Sequence, residues 1–409
     1  MSEPREIGPR DVAIAGSGLT GSLLALALVH AGKPRLSLML AGRAGAEADD
    51  PRAYAIAPGV RRMLEVLGVW ARVEAEACPV AEMRITDSRL EDLVRPVLLS
   101  LGAEAGGGEP VAHIVPASAL ARAASAALAD KGVASHDIGT FESLETDAAT
   151  AVLHGTGGSV EARLLVGADG LNSVVRESAG IRSFGWSYGQ HGVVATLAAE
   201  LPHEGVAVQH FLPGGPFALL PMTGDRYSLV WSLPERRARE IAALEDAGFA
   251  AAVEEAAGAE IGALALAGPR GSFPLSLALA RDFVAPRIAL AGDAAHRLHP
   301  LAGQGQNMGL RDVAALAQVV LDAARLGEDP GSLSVLKRYE RWRRFDTVQL
   351  AAATDALNRL FSADESVLRG LRDFGLGVVN RASGLKTFIM RDAAGETGET
   401  PRLLDGLPA

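Results

Sequence analysis

The sequence predicts an α/β fold: an N-terminal dinucleotide-binding βαβ unit, a sheet-rich middle and a helical C-terminal third. Three observations carry this. Asp11–Ala15 reads as a buried strand that runs through Gly16-Ser17-Gly18-Leu19-Thr20-Gly21 into an alanine- and leucine-rich helix, Ser22–Ala31. From Ser183 to Phe273 the texture turns to runs such as VVATLA, FALLPM and YSLVWS, among Trp186, Tyr188, Phe211, Phe217, Tyr227 and Trp231. In Arg287–Asp312, RIALAGDAAHRLHPLAGQGQNMGLRD, a short apolar strand meets Gly292-Asp293 and then a glycine-punctuated loop that opens a helix.

Between these landmarks the elements follow in order. Gly32 ends the first helix, and Leu36–Leu40 reads as the second strand of the βαβ start. Arg52–Trp70 reads as a helix, because its apolar residues recur three and four apart. Ser118–Asp130 is a further alanine-rich helix, and the chain to Val166 alternates as short strands do until Asp169-Gly170 closes the run. Most rings between Ser183 and Phe273 read as ordinary core of a second sheet. After Gly309 the pattern is helical through Leu326, again from about Ser332 to Leu360, and in pieces to Met390. The final ETGETPRLLDGLPA, 396–409, reads as a flexible tail.

Composition bounds the function. With 409 residues, 48% hydrophobic and 22% charged, the chain can bury a large core and is not a disordered protein. A net charge of −10 argues against nucleic acid as the main partner. Cys78 is the single cysteine, which excludes an intrachain disulfide, a cysteine metal cluster and a C-x-x-C redox pair, and fits a reducing, cytoplasmic compartment. In EACPVAE it reads as a small buried hydrophobe. MSEPREIGPRD lacks an apolar signal core. Val12–Ala31 is apolar enough to resemble a membrane span, but its glycines divide it into strand and helix, so a soluble or peripheral protein is expected.

The motifs point to a flavin. In the first glycine turn, Gly16 permits the tight turn, Gly18 lets a phosphate approach the backbone, and Gly21 lets helix and strand pack closely. The helix start adds free N–H groups and a positive dipole end. Asp293 follows strand Ile288–Ala291, at the carboxyl end where ligands bind in parallel sheets, and can accept hydrogen bonds from ribityl hydroxyls. Pro300-Leu301-Ala302-Gly303-Gln304-Gly305-Gln306-Asn307 lets backbone approach a flat ring, with a helix start facing the edge where reduced flavin carries charge. One element is missing. The acid that a dinucleotide βαβ places about 20 residues on, to hold ribose hydroxyls, would fall near Ala41, where the sequence is LMLAGRAG. Glu47, Asp49 or Asp50 can substitute from the following loop, and Arg43 reads as a solvated arginine. His296 and His299 have no third clustered ligand, so no metal site is expected.

These residues resemble the single-component flavin aromatic hydroxylases, specifically the ubiquinone-biosynthesis (UbiH-type) branch. The resemblance runs through GSGLTG at 16–21, DPRAYAIAPGVRRMLEVLGVW at 50–70, LLVGADGLNSVVRESAGI at 164–181 and GWSYGQ at 185–190. It continues with QHFLPGGPFALLPM at 209–222, SLVWS at 228–232, FPLSLALA at 273–280 and GDAAHRLHPLAGQGQNMGLRD at 292–312.

The resemblance implies a p-hydroxybenzoate-hydroxylase-like fold, an FAD-binding Rossmann-like domain interleaved with a β-sheet substrate domain, plus C-terminal helices. On that plan 1–75, 100–182 and 274–345 form the FAD-binding domain, 76–99 and 183–273 the substrate domain, and 346–395 the helices. It also implies a monooxygenase cycle. NADH or NADPH reduces FAD, O₂ adds to give a flavin hydroperoxide, and the ring of a polyprenylated phenol or quinone precursor takes up an oxygen. By position, Gly16, Gly18 and Gly21 would meet the pyrophosphate and Arg52 would lie beside FAD. Asp169 and Gly170 would serve both FAD and NAD(P)H phosphates, Gly292 and Asp293 the ribityl and pyrophosphate region, and Pro300, Gly303, Gly305, Gln306, Asn307 and Met308 the isoalloxazine.

The sequence departs from the family pattern near Ala41, at Arg297 where a small polar residue is usual, at Gln306 where an apolar one is usual, and at Ala117. No catalytic base can be named from the pattern; His299 and His210 are the candidates, each also readable as structural. A flavin-poor scaffold in a quinone-making complex, or a hydroxylase of another aromatic substrate, is the alternative function. Ser366–Arg391 carries Arg369, Arg372, Arg381, Lys386 and Arg391 among apolar residues, a pattern that suits either contact with anionic lipid at the inner face of a membrane or packing on the FAD domain.

Overall fold

The computed structural model describes residues 5–32, 35–42, 50–88, 95–102, 108–133, 135–299, 303–362 and 399–409. Val12, Ala13, Ile14 and Ala15 are fully buried, which is why this segment is continuously apolar rather than alternating: it is a central parallel strand, covered on both faces. Strand Arg5–Ala15 lies between Gly158–Gly167 and Leu38–Ala41, parallel to both, with Ala15 level with Gly167 and Ala41. Ile288–Leu290 adds parallel to Gly158–Gly167, and Val284–Ala285 and Ser135–His136 end that path of the first sheet. The carboxyl ends of five parallel strands, Ser135–His136 included, therefore gather at one edge, where a doubly wound sheet places its ligands. Helices Leu19–His30, Ala117–Asp130 and Gln304–Arg325 pack together beside it.

A second sheet runs in the order His296–Arg297, Leu264–Ala280, Ser183–Ala199, Arg226–Pro234, Gly215–Met222, Val206–Leu212, Glu82–Asp87, Leu99–Gly102. It draws strands from the first, middle and last parts of the chain, so the two sheets are interleaved as the resemblance implies. The period-2 alternation of strands gives each face its own role. Val193, Ala195, Leu197, Leu219, Leu229 and Trp231 pack beneath helices Glu235–Ala242 and Asp246–Ala257 as a separate core. The opposite face looks toward the first sheet. A small third sheet, Ala53–Ile56 with Ala112–Pro116 and Cys78–Val80, bridges the two.

Two sequence expectations are corrected. Arg52–Trp70 is not helical throughout: residues 53–56 pair antiparallel with Ala112–Pro116, and the helix is Pro58–Val66. The proline in its first turn marks the true start, since it removes no needed donor there. The tail 396–409 is not flexible over its described part. Arg402–Asp405 forms a 3-10 turn with Leu403 and Leu404 at 1% and 2% exposure. Gln318 Oε1 accepts from the Arg402 backbone N–H at 2.9 Å, and Arg62 Nε donates to the Leu404 carbonyl at 2.9 Å. Two buried leucines outweigh the turn-rich composition around them. Helix Leu333–Ser362 is a single element; the expected pieces beyond it to Met390, and the basic stretch 366–391, lie outside the described residues. Among those described, no helix is long and apolar enough to cross a membrane.

Candidate active site

A cavity of about 320 Å³ opens between the carboxyl edge of the first sheet and the inner face of the second. At one end its wall is formed by loop and turn residues: Gly18, Leu19 and Thr20 from the first turn, Ala168 and Gly170, Ala291 and Asp293, then Gly303, Gly305 and Gln306. Arg52 and Tyr54 enter from the third sheet. At the other end Gly192, Val194, Gln209, Ala218, Leu220, Val230 and Ser232 form a floor on the second sheet.

The glycines of the first turn are there for contact distance. Gly16 has φ +110°, and a Cβ on it would stand 2.2 Å from the Ala168 carbonyl oxygen; one on Gly21 would stand 1.9 Å from that of Gly16. Gly292 has φ +62°, and a Cβ on it would stand 2.9 Å from Thr20 Oγ1, so the three segments are drawn together without side chains between them. Gly305 differs: nothing lies within 4 Å of its would-be Cβ, which faces open space. Helices Leu19–His30 and Gln304–Arg325 both begin at this wall, with no acidic residue in the first turn and no side-chain cap. Two positive dipole ends thus meet at one end of the cavity, a setting that suits phosphate and an anionic ring edge. A dinucleotide with a flat ring fits these residues.

Other expected contacts are engaged elsewhere. Arg52 lines the cavity, but its guanidinium grips Asp50 (Nε to Oδ1, 2.8 Å) and stacks over Tyr54 and Phe273 at 5.7 and 5.5 Å. Hydrogen bonding to Asp50 holds Arg52 above its ordinary pKa. Asp50 is thereby engaged with Arg52, while Arg43, Glu47 and Asp49 lie outside the described residues. Asp169 accepts from Ser173 Oγ at 2.5 Å and from the Val175 N–H at 3.2 Å, so it braces the start of helix Val174–Ser178, which Ser173 caps; burial raises its pKa against those bonds. Its neighbour Gly170 reaches the cavity instead. The Asn307 side chain is a clamp: Oδ1 accepts from the Ala57 N–H at 3.1 Å and Nδ2 donates to the Ala55 carbonyl at 2.8 Å. Met308 is fully buried, with its sulfur near Arg311 and Arg343. Pro300 lies outside the described residues.

Neither histidine proposed as a base reaches the cavity. His210 Nδ1 meets Thr86 Oγ1 at 2.7 Å and its Nε2 meets the Ala257 carbonyl at 3.0 Å, on the far face of the second sheet. His299 is fully buried, its ring edge-on to Tyr188 at 5.1 Å. Burial pushes both down to about 4, so both are neutral near pH 7.

Sequence reasoning missed the cluster that holds the Asp293 turn. Asp312, fully buried, accepts from the Gly292 N–H at 3.0 Å, His296 Nε2 at 2.6 Å and Arg343 Nε at 2.9 Å. Burial opposes its charge, but His296 and Arg343 prevail and hold the carboxyl below its usual range. The available signal was a carboxylate set among Leu310, Val313 and Ala314 in an apolar helix stretch, which demands a buried cationic partner. His296 is thus committed to Asp312, and among the described residues no group of three or more potential metal ligands gathers.

Comparison with known proteins places these features in context. The FAD-binding domain family model matches residues 10–353. Ubiquinone hydroxylase UbiL of Rhodospirillum rubrum is 41% identical, covering 97% of this chain and 93% of its own length. The 3-demethoxyubiquinol 3-hydroxylase of Escherichia coli is 34% identical over 95% of this chain and 99% of its own. Among solved structures, p-nitrophenol 4-monooxygenase PnpA from Pseudomonas putida superimposes with a TM-score of 0.77, covering 94% of this chain and 97% of its own, at 18% identity, a likeness of fold.

Proposed function

The chain belongs to the FAD-binding domain family and, within it, to the hydroxylases of ubiquinone biosynthesis; from that premise we propose that it hydroxylates the ring of a polyprenylated ubiquinone precursor seated on the floor of the cavity. It is an FAD-dependent monooxygenase acting on an aromatic quinone precursor. The observation that carries the finer reading is the two-ended cavity, with loop residues, helix starts and Asp293 at one end and an apolar sheet at the other.

When bound, FAD supplies electrons drawn from NADH or NADPH and activates O₂, so that one oxygen atom reaches the substrate ring. The protein's part is binding and exclusion. Gly16 lets the first turn close against Ala168 and Gly21 lets the helix close against Gly16, so that the Gly18–Thr20 backbone would take the pyrophosphate. Asp293 would accept hydrogen bonds from the ribityl hydroxyls, and the Gly303–Gln306 helix start would stabilise the anionic edge of the ring. At the end of the second strand Ala41 is fully buried and Gly42 follows at φ +140°, so among the described residues no carboxylate holds the ribose there. Val194, Ala218, Leu220 and Val230 keep water from the reacting ring. The four strands of the floor bring no titratable side chain to the cavity, so a ring resting there is activated chiefly by its own electron richness and by desolvation.

The test is a visible absorption spectrum after reconstitution with FAD, then NAD(P)H oxidation with methoxyphenols and ¹⁸O₂, read by product mass. Incorporation of one labelled oxygen atom is expected. A colourless protein that cannot be reconstituted would leave a scaffold role in its place. Contact of 366–391 with anionic lipid belongs to the same proposal, since a prenyl tail partitions into the bilayer. Liposome co-sedimentation should weaken when Arg369, Arg372, Arg381, Lys386 and Arg391 are changed to Gln, and unchanged sedimentation would refute it.

A further inference from the structure

The floor has one polar break that the reaction chemistry does not use. Gln209 lies on strand Val206–Leu212, is 7% exposed, and lines the cavity. No described residue hydrogen-bonds its carboxamide, whereas Gln190, three strands away on Ser183–Ala199, donates from Nε2 to the Gly214 carbonyl at 2.7 Å. Cross-strand register sets Gln209 beside Ala218, Ala218 beside Val230, and Val230 beside Val194. One hydrogen-bonding side chain therefore ends a row of three small or branched apolar ones. Neighbouring strands lie about 4.8 Å apart, so an aromatic ring resting on Ala218 and Val230 brings one edge to the carboxamide.

The other polar side chain on these floor strands stands elsewhere. Ser232 is level with Gly192, whose second neighbour is Phe273 beneath Arg52, so it lies on the cofactor side. Gln209 marks the distal end. A ring oxygen buried there without a partner would carry an unmet desolvation cost, and so would the carboxamide. An amide offers both donor and acceptor, which matches a hydroxyl or a carbonyl oxygen, and it takes no proton away.

We propose that Gln209 is a specificity-determining residue, whose carboxamide hydrogen-bonds an oxygen substituent of the substrate ring at the end of the cavity away from the cofactor. The proposal rests on the reading that the cavity holds an aromatic ring. A site built to hydrogen-bond an oxygen rejects the analogue that lacks it. The test is titration calorimetry of the FAD-loaded protein with 2-methoxyphenol and with methoxybenzene, the same ring without its hydroxyl. Wild type should prefer the phenol by on the order of 10- to 100-fold, and Gln209→Leu should reduce that preference to within about threefold while methoxybenzene binds as before. Flavin content and melting temperature report whether Gln209→Leu has folded; if it has not, Gln209→Met, of similar length, is read in its place. A variant that keeps the wild-type preference overturns the proposal, as does a wild type that binds both rings alike. Because calorimetry needs no turnover, a preference that collapses on substitution supports the Gln209 contact even where no product forms, in which case only the hydroxylation reading fails.

Discussion

Asp312→Asn isolates the charge that holds the Asp293 turn while keeping the side chain's shape. Three donors converge on this carboxylate, and it and Arg343 are 0% and 2% exposed. Removing one partner of a buried ion pair costs about 3–5 kcal/mol, because the remaining charge is left in a dry site. Arg343 keeps Asp346 at 2.8 Å, on a half-exposed side chain, and the asparagine carbonyl retains one donor, recovering about 1 kcal/mol. The expected loss is then about 2–4 kcal/mol. An unfolding entropy of about 2.1 cal/mol/K per residue converts this, for 409 residues, to a drop of about 2–5 °C in melting temperature. The Gly292 N–H loses its anionic acceptor too, so retained flavin per protein should fall. The pH dependence has a definite sign. The folded carboxyl titrates below its unfolded value near 3.9, so its contribution is present above that value and is lost as pH falls through the folded one. The deficit of Asp312→Asn should be level above the usual carboxylate range and close as pH falls below it, through the folded value. Scanning fluorimetry across pH with flavin quantitation reads both. A variant that melts within 1 °C of wild type at pH 7 with full flavin, or a deficit that grows on acidification, would refute the reasoning.

Gly21→Ala puts a methyl group against the Gly16 carbonyl, and flavin-to-protein ratio after gel filtration should fall at least about tenfold with secondary structure retained. Asn307→Ala leaves the Ala57 N–H and Ala55 carbonyl without their partner; a loss of about 2–4 kcal/mol in denaturant unfolding is expected, and one below about 0.5 kcal/mol would exclude the clamp. His210 and His299, neutral down to about 4, add stability that is full above the unfolded value near 6.5 and is lost as pH falls toward 4, about 3 kcal/mol each. His299→Leu should flatten that acid limb, and the pH–rate profile between 6.5 and 8 should show no limb from either histidine. Ending the chain at Thr400 exposes the sites of Leu403 and Leu404 and should cost up to about 3–6 kcal/mol, read as a lower melting temperature.

Legibility in the sequence followed the range of the forces involved. The strand–glycine–helix unit at 11–31 and the strand–Asp293–loop–helix unit at 288–325 were readable, because each is fixed by local burial and backbone freedom. Residues 53–56 were misread, since their apolar spacing continues that of the helix after Pro58 and only pairing with Ala112–Pro116 makes them a strand. Asn307 and Met308 sit in the right loop, but on a helix side chains a residue apart point in different directions, and theirs turn toward Ala55 and Arg343. The Asp312 cluster joins residues 16 to 31 apart, and the floor depends on strand register, which residue order does not display. The docked tail hid because two leucines decide its fate against a dozen polar and turn-forming neighbours.

The cavity's walls come from widely separated parts of the chain: the first turn near residue 18, the floor near 209, and the closing helix start near 303. During synthesis the first βαβ unit emerges with its central strand still lacking the Gly158–Gly167 partner, and the cofactor's end is not enclosed until Gly309 packs on Gly292. Such long-range closure is slow relative to local helix formation. A nascent chain therefore has no cofactor site to offer until about three-quarters of it has left the ribosome, and loading with FAD reports that both sheets have met.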